Sequence, residues 1–154
     1  MYNISYPHIA VLGKVKGETI YRNIDRFEEV EQFNETLIVR FDARLYFANV
    51  NYFRDFIGQQ IQANPSLQHL VLDAKAINGI DSSAIHALDE MLWTLAKQDI
   101  NFYLVGVKGP VRDKLKKGHL LEKIGSTHIL NNVQEAVDVI EHQVRPDDRM
   151  RQYA

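Results

Sequence analysis

The stretch Ala76-Ile77-Asn78-Gly79-Ile80-Asp81-Ser82-Ser83-Ala84-Ile85 follows the apolar run Leu70-Val71-Leu72 and runs into Ile85, Leu88, Met91, Leu92 and Leu95, which recur at helical spacing. This reads as a strand, a turn at Gly79 and an amphipathic helix opened by Asp-Ser-Ser. The strand is short and does not alternate, as expected when both faces are covered. A helix start presents unpaired N–H groups and a partial positive charge. Asp81, Ser82 and Ser83 are therefore placed to cap the helix or to meet an anion, and a serine hydroxyl there is placed to accept a phosphoryl group.

Downstream of this junction, Asn101 to Val107 is a second buried-type strand. Gly109-Pro110 then opens one helix with Val111, Leu115, Leu120, Leu121 and Ile124 on its inner side. Thr127 to Leu130 reads as a short strand, and Asn132-Val133-Gln134-Glu135 has the form of a capping box before a last helix through Ala136, Val137 and Ile140. Upstream, His8 to Val15 is a strand turning at Lys16 to Thr19, and Thr36 to Asp42 is another. Arg44 to Ala48 reads as a further strand, or as the same one after a break at Asp42-Ala43. Asn49 and Asn51 are candidate N-caps for a helix carrying Phe53, Phe56, Ile57 and Ile61 and ending near Asn64-Pro65. Strands alternating with helices from Leu67 onward predict an α/β fold, a mixed and mostly parallel sheet with about four helices packed on it. In such sheets ligands sit beyond the carboxyl ends of the strands, where the Asp-Ser-Ser junction falls.

A chain of 154 residues supports one domain with its own core. A formal charge of −2, with the charges interspersed, argues against nucleic acid as a partner. With no cysteine, disulfides, thiolate metal sites and cysteine nucleophiles are excluded. The six histidines show no metal-ligand spacing, so no metal is expected. No Ser-His-Asp order, nucleophile elbow or phosphate-binding glycine loop is present, so no catalytic residue is assigned and the chain is not read as an enzyme. The N-terminus lacks the pattern of a secretory signal, and no apolar run approaches the ~20 residues of a membrane span.

Two further groups stand out. Asp42 and Arg44 end the strand at Phe41, and Arg44 is a candidate anion partner beside Asp81, Ser82 and Ser83. Lys108, Arg112, Lys114, Lys116 and Lys117 form the densest basic cluster; its plain reading is a solvated helix face, its functional one an interface for lipid headgroups or an acidic partner. Tyr6, Tyr21, Tyr46 and Tyr52 are read as core or interface packing.

The order strand, Asp81-Ser82-Ser83-Ala84, amphipathic helix, then a strand ending Val105-Gly106-Val107, resembles the STAS domain, the SpoIIAA-like fold shared by anti-sigma-factor antagonists and SulP family sulfate and anion permeases. The opening Pro7 to Val15, Gly17, Tyr21 to Ile24 and Leu37 to Phe53 is similar to the permease form. The resemblance covers residues 7–143 and leaves 144–154 as a polar tail. It implies a cytoplasmic regulatory and protein-interaction domain, excised from its membrane-spanning part, at a bacterial inner membrane. The partners it implies are the transmembrane domain of the same permease, a cytoplasmic protein such as acyl carrier protein, and a second copy in a homodimer. It implies no cofactor beyond weak nucleotide binding at the helix start. Ser83 matches the phospho-accepting serine of the antagonists, and a free-standing antagonist switched at Ser83 is the alternative reading.

Overall fold

The computed structural model describes residues 8–27 and 29–142, and the elements below are those of the described residues. In chain order they are β1 (Ile9–Val15), β2 (Tyr21–Asn23), β3 (Val30–Glu31), β4 (Thr36–Phe41), α1 (Val50–Ala63), β5 (His69–Asp73), α2 (Ser82–Lys97), β6 (Asn101–Val105), α3 (Gly109–Lys117), α4 (Leu120–Ile124), a 3-10 turn (Ser126–His128), β7 (Ile129–Leu130) and α5 (Val133–Glu141). They make one sheet in the order β2-β1-β4-β5-β6-β7, with β3 beside β1. The strands β4 to β7 run parallel, and β1 is antiparallel to β2, β3 and β4. This is the mixed, mostly parallel α/β sheet that the alternation predicts.

Every residue of β5 is buried, as its unbroken apolar pattern requires of a central strand covered on both faces. Leu37, Val39, Phe41, Leu70, Leu72, Phe102 and Leu104 face one way and pack against the inner sides of α1 to α4. Their neighbours Ile38, Val71, Tyr103 and Val105 face the other way and are covered by Val133, Ala136 and Val137 of α5. The two-residue period of the strands thus divides the core into a thick layer and a thin one.

Several local expectations are corrected. Arg44 to Ala48 is not a strand: only Leu45 bridges to Ile80, while Phe47 turns outward with 69% of its surface exposed. The expected third helix is two, α3 and α4, broken where His119 adopts φ 64°, which is why five helices pack on the sheet instead of about four. Beside the break the backbone passes close to α2, where a Cβ on Gly118 would lie 2.7 Å from Ile85 Cγ2. Asn49 precedes α1 without capping it: its side chain turns back, Oδ1 accepting from Tyr46 N at 2.9 Å and Nδ2 donating to Arg44 O at 2.7 Å. Asn51 lies within the helix. At α5 Asn132 Oδ1 accepts from Glu135 N at 2.9 Å, but Glu135 returns its carboxylate to Asn131 N, one residue ahead of a regular capping box. Tyr21 is partly buried and donates to Gln134 Oε1 at 2.7 Å; Tyr6 and residues 144–154 lie outside the described residues.

Candidate functional site

The parallel register brings the carboxyl ends of β4, β5 and β6 to one end of the sheet, since Arg40 pairs with Asp73 and Asp73 with Val105. The loops leaving this end are the candidate site. Leu45 N donates to Gly79 O at 2.9 Å and Asp81 N to Leu45 O at 3.2 Å, which ties the loop after β4 to the loop after β5.

Asp81 is the N-cap of α2, with one carboxylate oxygen accepting from Ala84 N at 2.9 Å and the other from Phe47 N at 3.1 Å. The Ala84 bond first, with help from Phe47 N–H, the nearby Arg44 guanidinium and Ser83 N–H, holds the Asp81 carboxyl below the usual carboxylate range. Ser82 and Ser83 follow in the first turn and are exposed. The structure therefore assigns the capping role among these three residues to Asp81. Its negative charge already takes N–H groups of the helix start, which disfavours an incoming anion there and leaves the Ser83 hydroxyl open to solvent.

Arg44 packs its stem over Gly79, where a Cβ would lie 3.1 Å from Arg44 Cγ, and its guanidinium stacks on Tyr46 with 4.3 Å to the ring centroid. The structure thus brings Arg44, Asp81, Ser82 and Ser83 together. Asp42 is drawn away, because its Oδ1 accepts from Arg40 Nε at 2.7 Å.

The basic cluster divides as well. Lys114 Nζ donates to Ile80 O at 3.0 Å and so pins α3 to the residue before Asp81. Lys108, Arg112, Lys116 and Lys117 are exposed and have no anionic partner among the described residues. Sequence reasoning missed Phe47 and the link through Lys114. The run Leu45-Tyr46-Phe47 held the signal for Phe47, since three consecutive apolar residues cannot all face one core.

Two tied loops, an aspartate-capped helix start and a basic helix sit at the carboxyl end of the mixed sheet of a small α/β domain. The STAS domain family model matches residues 15–136, and the chain belongs to that family. It is 34% identical over 147 residues to "Sulfate transporter 1.3" of Arabidopsis thaliana, covering 90% of this chain and 22% of that protein. It spans about a fifth of the length of such relatives. In fold it is similar to the murine anion transporter Slc26a9 (TM-score 0.78, 24% identity, 88% of this chain and 22% of that one). It is also similar to the SulP transporter STAS domain of Vibrio cholerae (TM-score 0.59, 19% identity, 79% of this chain and 94% of that one). The anti-sigma factor antagonist SpoIIAA shares the fold (TM-score 0.54, 16% identity, 72% of this chain and 94% of that one). No helix among the described residues is long and apolar enough to cross a membrane.

Proposed function

We propose that this chain is the cytoplasmic regulatory domain of a SulP family sulfate or anion transporter and works through contact with the membrane-spanning part of the same protein. The observation that carries this reading is the 34% identity running through 90% of the chain to a sulfate transporter of which it accounts for only 22%. The candidate surface for that contact is the end of the sheet where Phe47, Arg44 and the exposed start of α2 meet. Sulfate uptake by the full-length transporter, with and without this domain and with Ser83→Asp, is the test. Uptake reduced by deletion and altered by Ser83→Asp supports the reading; uptake indifferent to both, at equal protein in the membrane, overturns it.

The second reading, an antagonist switched at Ser83, is favoured by one observation: Asp81 performs the capping, so the Ser83 hydroxyl is exposed and free of a structural duty. Phosphorylation of Ser83 by a partner kinase, followed by release of a bound protein, would support it. Nucleotide, if held, would meet Arg44 and the Ser82-Ser83 turn, and a nucleotide titration followed by chemical shifts at Arg44, Ser82 and Ser83 tests this.

A further inference from the structure

Asn78-Gly79 is the single Asn-Gly pair of the sequence, and it lies in the loop between β5 and α2. Ile77 and Ile80, each 3% exposed, peg the loop to the core on either side of the pair, while Asn78 itself is exposed. The backbone bonds of this loop engage Ile77 N, Gly79 O and Asp81 N. Two groups are left unheld: among the described residues, neither the Asn78 side-chain amide nor the Gly79 N–H has a hydrogen-bond partner. Other asparagines are engaged and precede residues that carry side chains. Asn49 and Asn64 are bonded through both ends of their amides, and Asn131 and Asn132 are bonded to Glu135. Packing also favours glycine at 79, because a Cβ there would lie 3.1 Å from Arg44 Cγ and 3.2 Å from Arg44 Cδ. The approach of Arg44 thus goes with a backbone nitrogen, next to Asn78, that no side chain of its own residue screens.

We propose that Asn78 is a site of spontaneous deamidation in the folded chain. The Gly79 nitrogen, its proton lost to solvent base, attacks Asn78 Cγ; the new C–N bond closes a succinimide ring, and the side-chain nitrogen leaves as ammonia. Water then opens the ring. Addition at Cγ releases the Gly79 nitrogen from that carbon and leaves aspartate. Addition at the main-chain carbonyl carbon releases the nitrogen there and leaves isoaspartate, with the chain now running through Cγ. In both cases the Gly79 N–H is restored, and the net change is amide and water to carboxylate and ammonium. Either product places a carboxylate next to the glycine that Arg44 packs over, where it competes with Tyr46 for the guanidinium. The isoaspartate product also lengthens the backbone just ahead of Gly79 O, which accepts from Leu45 N. It therefore loosens the tie between the two loops, whereas the aspartate product changes charge alone.

The test is incubation of the 154-residue chain in neutral and mildly alkaline buffer, native and in urea, followed by peptide mass mapping and isoaspartyl methyltransferase labelling. In the native chain Asn78 should convert about tenfold faster than any other asparagine, and faster still in the alkaline buffer, because the attacking nitrogen must lose its proton. Asn78→Ser should abolish the conversion and keep the urea midpoint of the wild type, since the replaced side chain is exposed and unbonded. In the purified isoaspartate form the Leu45 amide proton should exchange about fivefold faster, as the loss of one ordinary backbone hydrogen bond requires. Conversion in urea with none in the native chain would mean that the fold protects the loop, and overturns the proposal. So does native conversion spread evenly over the asparagines, or isoaspartate formed undiminished in Asn78→Ser. Unchanged Leu45 exchange in the isoaspartate form overturns the loosening of the tie. Sulfate uptake plays no part in these readouts, so failure here and failure of the transporter reading are told apart.

Discussion

Removing the carboxylate of Asp81 would leave two backbone donors without their partner, Ala84 N in the first turn of α2 and Phe47 N across the site. Asp81→Ala should therefore cost about 1–2 kcal/mol, the range of a lost N-cap, whereas Ser83→Ala should stay within about 0.5 kcal/mol. Urea midpoints of the two variants decide between Asp81 and Ser83 as the cap. The same carboxyl supplies a pH dependence of known sign. Its folded pKa lies below the unfolded one, so its stabilising contribution is complete above the ordinary carboxylate range and is lost as pH falls through the folded value. The stability gap between wild type and Asp81→Asn should be widest at neutral pH and narrow as pH falls below the ordinary carboxylate range. A gap that stays constant would mean that the charge contributes nothing. At this scale the sequence was half legible: Asp-Ser-Ser announced a capped helix start, but which of the three caps, and that the cap also holds Phe47 34 positions earlier, depends on a tertiary contact.

At the level of elements, the junction of α3 and α4 is crowded by α2. A methyl group at Gly118 would meet Ile85 Cγ2 at 2.7 Å, so Gly118→Ala should cost about 1–3 kcal/mol through overpacking. Combining it with Ile85→Ala should cost less than the two changes summed, because the clash disappears with its partner. A purely additive cycle would show that the glycine serves the backbone alone. The edge strand β2 is tied to α5 by Tyr21, whose hydroxyl donates to Gln134. Burial above all, with Glu141 and Asp138 nearby, pushes the Tyr21 pKa up to about 12. The unfolded chain loses this proton first, so stability falls as pH rises from about 10 toward that value, and Tyr21→Phe should flatten this alkaline loss at a cost of about 1 kcal/mol for the hydrogen bond. Denaturant titrations in mildly and strongly alkaline buffer test both parts. The periodicity of Val111, Leu115, Leu120, Leu121 and Ile124 predicted one helix because a helical pattern tolerates a glycine in sequence. The His119 turn shows only once α2 is in place.

For the molecule as a whole, both core layers share the strands β4, β5 and β6, so neither can come apart without exposing the other. Urea unfolding of this chain should show one transition, coincident in far- and near-ultraviolet circular dichroism; two separated transitions would mean that α5 and the four other helices unfold independently. The parallel part of the sheet was legible because Leu70-Val71-Leu72 and Phe102 to Val105 are unbroken apolar runs followed by helical periods. The antiparallel part was less so. The two residues of β3 carry too little pattern to announce a strand, and Arg44 to Phe47 has strand composition but supplies only the single bridge at Leu45. The candidate site was legible as separate pieces, Arg44, Asp81 to Ser83 and the lysines of α3, which are joined by the backbone bonds of Leu45 to Gly79 and Asp81 and by the Lys114 bond to Ile80.

The outermost strands in the sheet order, β2 and β7, are three and two residues long. Strands this short offer a neighbouring molecule almost no row of free N–H and C=O groups on which to extend the sheet. Crowded copies of the domain are thereby spared the edge-to-edge knitting that leads to fibres, and any contact between copies that engages the described residues has to be made by side chains on helices and loops.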